Sequence, residues 1–124
     1  MLSVPLPRID TERGRVAVAA VRDGSADRNL TATAVRFILQ EFARLAPGKS
    51  VEVRVPPHGV VQIVEGLGHT RGTPPNVIEL DAETLVALAV GDETWEAAVN
   101  RGAVRASGTR ASLAELVPLS ALRE

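Results

Sequence analysis

Hydrophobic and polar positions recur with two different periods along this chain, and each change of period marks a boundary between elements. Leu30, Ala34, Phe37, Ile38, Phe42 and Leu45 return at three- and four-residue spacing. That predicts an amphipathic helix over Arg28 to Leu45, capped by Asp27 and stopped by Pro47-Gly48, with Arg36, Gln40 and Arg44 on its solvated face. Val51, Val53 and Val55 then alternate with Glu52 and Arg54, the signature of a strand with one buried face. Pro56-Pro57-His58-Gly59 reads as a turn into a second strand, Val60 to Glu65, so the two form an antiparallel hairpin. After a glycine-rich loop, Val77 to Leu80 is a third strand, and the three together are expected as a meander. Asp81 caps a helix that carries Leu85, Leu88 and Ala89 and closes at Gly91. A short helix follows on Trp95, Ala98 and Val99, then a strand from Val104 to Ser107, then a terminal helix capped by Ser112 and carrying Leu113, Leu116 and Val117.

The N-terminal region is read differently. Residues 1–10, with Pro5 and Pro7, look like an arm. From Thr11 to Val21 the alternation of Val16, Val18 and Ala20 suits a strand, while the alanine content and the Asp23-Gly24 stop suit a helix, which is the preferred reading. The whole is an α+β fold: a mainly antiparallel sheet of four to five strands covered on one face by helices, in a single domain spanning 1–124.

Composition narrows the chemistry. At 124 residues with 45% apolar content the chain buries a core without staples, and with no cysteine it offers neither a disulfide nor a thiolate site. The net charge of −1 gives no global attraction to nucleic acid or to anionic membranes, although residues 1–50 carry +3 and residues 51–124 carry −4. No run approaches the roughly 18 apolar residues of a membrane span, and the start has no export signal, so a cytoplasmic protein without stable membrane insertion is expected. Thirteen arginines against one lysine suggest a GC-rich bacterial genome. Only Phe37, Phe42 and Trp95 are aromatic, so the interior is built from valine, alanine and leucine. Such a core is either packed tightly or leaves room for a ligand.

Candidate chemistry is sparse. Gly66, Gly68 and Gly72 are spaced GxGxxxG, but Pro74-Pro75 stands where a dinucleotide-binding helix would begin, so no cofactor is expected. The same loop holds His69, Arg71 and Asn76 as polar ligand candidates, with Arg71 and nearby amides suited to an anion. An enzyme built on His69, Arg71 and Glu65 is a distant alternative, and no catalytic residue is assigned. His58, beside two prolines, reads as an exposed turn residue, and the two histidines lack the short spacing of a zinc site, so no metal is expected.

The run TLVALAVGDETWEAAVNRGAVRASGTRASLAEL resembles the C-terminal half of the sterol carrier protein superfamily, with Gly102-Ala103-Val104-Arg105-Ala106-Ser107-Gly108 as its G-x-hydrophobic-basic-x-x-G strand. VEVRVPPHGVVQIVEGLGHTRGTPPN is similar to the middle section of the small bacterial orthologues of that superfamily. The resemblance runs from about Ala34 to Leu119 and implies a five-stranded sheet, with Arg15 to Val21 one source of the fifth strand, and an apolar tunnel between sheet and helices that accepts lipids. It thus implies non-enzymatic binding or transfer of a lipid, sterol-like or acyl ligand, with Phe37, Ile38, Phe42, Val61, Ile63, Leu85, Leu88 and Trp95 as the expected walls. The alternative is an accessory domain with no cavity that contacts a protein partner, as in thiol-dependent isomerases.

Overall fold

Asp10 accepts a hydrogen bond from the Arg13 amide at 2.8 Å and so starts helix α1, Thr11–Arg22. The structure, a computed structural model, describes residues 7–66 and 75–123. Gly14, Ala17, Val18 and Val21 are the buried positions of α1, at helical spacing, whereas Val16 is 56% exposed. A strand would have put Val16 and Val18 on one face, so the helical reading holds, and the sheet of the described residues has four strands. Just before α1, Gln40 clasps the backbone of Ile9 from both sides, accepting from its amide at 2.9 Å and donating to its carbonyl at 2.8 Å. The end of the N-terminal arm is therefore docked, with the Ile9 side chain 3% exposed.

Gly24, at φ +98°, turns the chain toward α2, Arg28–Leu45. Its Asp27 cap accepts from the Leu30 amide at 2.8 Å, as the sequence predicts. Asp27→Ala should destabilise the protein by about 1 kcal/mol, seen as a lower urea midpoint with an unchanged slope. Ala34, Val35, Phe37, Ile38, Leu39 and Phe42 are buried along α2, but Leu45 is 45% exposed and does not extend the stripe.

Strands β1 (Val51–Val55), β2 (Gly59–Ile63), β3 (Asn76–Leu80) and β4 (Val104–Ser107) form one sheet in the order β2-β1-β3-β4. The hairpin β1–β2 is antiparallel with Val53 opposite Val61, and β3–β4 is antiparallel with Ile78 opposite Ala106. The expected meander is corrected by β3, which lies parallel to β1 on the side away from β2, with Ile78 opposite Val53. The connection from Ile63 to Asn76 has about a dozen residues, the length a parallel pair needs and far more than a hairpin turn. Crossing over puts Ile78, flanked by Asn76 and Leu80, in the sheet interior and leaves glycine-led β2 at the edge.

Val51, Val53, Val55, Ile63, Ile78, Leu80 and Val104 face the helical layer and are buried. On the opposite face Arg54 donates to Glu52, which Gln62 also reaches at 3.4 Å, with Glu79 and Arg105 alongside. Helix α3 (Ala82–Val90) is capped by Asp81 and ends at left-handed Gly91, and α4 (Trp95–Asn100) is capped by Thr94. Arg101 grips Glu93 at 2.6 and 2.8 Å and touches Thr84 at 3.3 Å, which ties the end of α4 to α3. The hydrogen bonds from Arg101 hold the Glu93 carboxyl below the usual carboxylate range.

The terminal helix expected from Ser112 is replaced by turns and a 3-10 turn at Ser120–Leu122. Ser112 accepts from the Ala114 amide at 3.1 Å, but Pro118 follows too soon for a helix to propagate. The segment is held by buried Leu113 and Leu119, and by the Leu119 amide donating to the Ala89 carbonyl at 2.8 Å.

Candidate ligand site

The eight expected wall residues come from four elements: Phe37, Ile38 and Phe42 from α2, Val61 and Ile63 from β2, Leu85 and Leu88 from α3, and Trp95 from α4. The fold brings them into one apolar layer between helices and sheet. Phe37, Ile38, Phe42, Ile63, Leu85 and Leu88 are at 0% exposure and Trp95 is at 8%, while Val61 is half-buried against the same cluster. Of the eight, Val61 lines a cleft that opens on the surface.

That cleft, of about 340 Å³, lies where the edge strand β2 meets α2. Gly59 opens β2 there because a side chain would press on Leu39, whose Cδ1 lies 3.2 Å from where a Cβ would stand. Leu39 and Val61 give apolar walls, and Ile9, held by Gln40, gives another, with Val60 at the cleft's edge. A second cleft, of about 680 Å³, is lined by Arg28, Asn29, Ala32, Arg36, Pro57 and His58. Arg36 and His58 line both. Both are half-buried, so Arg36 is not the fully solvated face residue, nor His58 the exposed turn residue, that local sequence implies.

A third cleft, of about 640 Å³, is of mixed polar and apolar lining and runs past Gly24, Pro56, His58, Asp81 and Glu83. Arg22 and Asp92 stand in it as a two-bond ion pair at 2.7 and 2.8 Å. Among the described residues no cluster of His, Cys, Asp or Glu is arranged to hold a metal.

The polar loop candidates divide. His69 and Arg71 lie outside the described residues, and Glu65 is exposed. Asn76 is buried at 5%, and both ends of its amide are engaged: Nδ2 donates to the Ser50 carbonyl at 2.9 Å, and Oδ1 accepts from the Arg110 amide at 2.9 Å. The loop's start is strained, since Val64 takes φ +65°, a conformation unfavourable for a β-branched residue. Three hydrogen bonds impose it: the Val64 amide to Ala46 at 2.7 Å, and the Ser50 amide and hydroxyl to the Val64 carbonyl at 3.1 and 2.6 Å.

Sequence reasoning missed Ile9, Leu39 and Val60 as cleft residues and Arg28, Arg36 and His58 as their polar neighbours. One signal was available: Arg28, Ala32 and Arg36 fall four residues apart, two cations bracketing a small residue on one helix face. Among the described residues no helix is long and apolar enough to cross a membrane. A family model described as bacterial SCP ortholog, SCP standing for sterol carrier protein, matches residues 27–119. No curated protein sequence matches the chain.

Proposed function

The chain belongs to the bacterial sterol carrier protein ortholog family, and from that premise we propose that it is a non-enzymatic, cytoplasmic carrier that takes an aliphatic ligand at the junction of α2 and β2. Membership points to lipid binding or transfer in general. The observation that supports a place for it is the apolar cleft between Leu39, Val61 and Ile9, at the rim of the layer that holds the other expected wall residues. Phe37, Ile38, Phe42, Ile63, Leu85, Leu88 and Trp95 form the packed interior beyond that rim, and a longer chain would enter by displacing contacts among them.

Desolvation supplies the affinity. Each buried methylene contributes about 0.8 kcal/mol, so a ten-carbon chain gains about 8 kcal/mol before the costs of association and ordering. Dodecanol should raise the melting temperature of the protein by mass action. Val61→Asp places a charge in the cleft at a half-buried side chain on the inner face of β2. It should weaken dodecanol binding about tenfold and cost the free protein about 1–3 kcal/mol. If no acyl, sterol or isoprenoid compound shifts the melting temperature, the carrier reading fails.

A second reading, an accessory domain that docks on a partner protein, draws on the full burial of six of the eight expected walls. It expects no lipid-induced stabilisation and a stable complex in its place.

A further inference from the structure

We propose that Arg28 and Arg36, with His58 beside them, form a head-group site for an anionic single-chain amphiphile whose tail lies in the apolar cleft between α2 and β2. The inference rests on the carrier reading and adds the chemical class of the ligand and its direction.

The two clefts are neighbours of opposite character. One is walled mainly by aliphatic side chains and the other by arginines, and they share Arg36 and His58, so a single ligand can span both. Arg28 and Arg36 stand two turns of α2 apart, about 12 Å along its axis. The small side chain of Ala32 between them leaves room for both long guanidinium arms to reach a common anion. Planar guanidinium forks match a carboxylate in two-bond geometry.

The charge pattern is what selects the ligand. Arg22, Arg44, Arg54 and Arg101 each pair with a carboxylate of the fold, whereas Arg28 and Arg36 have no ion-pair or side-chain hydrogen-bond partner among the described residues; the other described arginines without a carboxylate partner, Arg8, Arg13, Arg15, Arg105, Arg110 and Arg123, are all exposed. Arg36 is moreover half-buried, so its charge has lost part of its hydration without a compensating anion. Neither of the two clefts has an Asp or Glu in its lining, whereas three other clefts on the surface each hold at least two carboxylates. An anion is thus drawn to this pair of clefts in particular, and the aliphatic walls next to Arg36 favour one that carries a hydrocarbon tail.

The test compares dodecanoate with dodecanol, which share a tail and differ in charge, titrated into the full chain at low salt below the onset of micelles. Dodecanoate should bind about tenfold more tightly, and the amide resonances it shifts should lie on α2 and β2. The double variant Arg28→Gln, Arg36→Gln should bring dodecanoate down to the affinity of dodecanol and leave dodecanol unchanged. Arg28→Gln alone, at an exposed position in the first helical turn, should move in the same direction by a smaller factor and keeps the test valid if the double variant unfolds. Equal affinities in the unaltered protein, or a preference for dodecanoate that survives both substitutions, overturns the head-group site while leaving the carrier reading intact. Failure of both compounds to bind overturns the head-group site, and the carrier reading falls with it only if the sterol and isoprenoid compounds also leave the melting temperature unchanged. Binding to phosphatidylglycerol vesicles with no response to dodecanoate also overturns it, since the cationic pair would then serve a membrane surface.

Discussion

Phe37→Ala is expected to destabilise the protein by about 3–5 kcal/mol, because it deletes a fully buried ring whose space the surrounding helices cannot close. The ring is seated against Gly14 of α1: a Cβ built on that glycine would stand well inside van der Waals distance of the Cγ of Phe37. This contact gives the prediction an unusual sign. Glycine in a helix interior is ordinarily worse than alanine by about 1 kcal/mol, so Gly14→Ala should help α1 as a helix. Here it should instead cost about 1–3 kcal/mol through overpacking. In a Phe37→Ala background the obstruction is gone, and the same Gly14→Ala substitution should become neutral or stabilising. Urea unfolding of the four proteins measures the coupling directly. Additive effects would show that the approach of α1 to α2 is not set by this pair.

The same pair shows how far the sequence could be read. Periodicity places Phe37, Ile38 and Phe42 on the inner face of α2, and they are there, because helical spacing alone decides inside from outside. It does not say whether the inside is filled. That depends on Gly14, a position with no side chain to register in any apolar pattern, and on α1 lying where its absence lets the Phe37 ring sit. Alternation identified β1 and β3, with Val51, Val53, Val55, Ile78 and Leu80 buried. It was silent on their neighbours, since a strand has the same alternation whether it pairs in parallel or antiparallel. The parallel β1–β3 pair follows from the long connection, whose glycines and prolines read as a loop without showing where it leads.

The candidate site was legible only in part for a similar reason. Val61 lines the apolar cleft where α2 meets β2. Ile9 belongs there because Gln40, thirty-one positions along the chain, binds its backbone. Arg36 and His58 are half-buried where α2, the turn before β2 and that docked arm converge. Their local sequence, a polar helix face and a proline turn, carries the opposite signal. Sites made by convergence of distant segments leave no periodic trace, and here the polar half of the site is of that kind.

Asn76 is the polar loop residue for which the structure gives a definite role, and substituting it should rank next in effect. The side chain crosses from β3 to both flanking segments, bonding the Ser50 carbonyl before β1 and the Arg110 amide after β4. Asn76→Leu keeps the number and branching of the side-chain heavy atoms, adds some bulk and removes both hydrogen bonds, leaving a carbonyl and an amide without their partners. At about 1–3 kcal/mol for each buried group left unsatisfied, less what solvent recovers at the half-buried Arg110 contact, the expected loss is about 2–4 kcal/mol. Gly108 is part of the same arrangement. It sits at φ +105° with the Asn76 side-chain oxygen where a Cβ would go, so the chain turns out of β4 only by passing close over this amide. Asn76→Asp separates the two bonds. Its carboxylate still accepts from the Arg110 amide but faces the Ser50 carbonyl with no proton to offer, so the protein should be destabilised while hydrogen exchange at Arg110 stays slow. Asn76→Leu should speed exchange at Arg110 and loosen the turn after β4. Neither variant should change the ratio of dodecanoate to dodecanol affinity, because both polar atoms of Asn76 are already committed to the backbone. A selective loss of dodecanoate binding in Asn76→Asp would instead place the anion near this residue and away from Arg28 and Arg36.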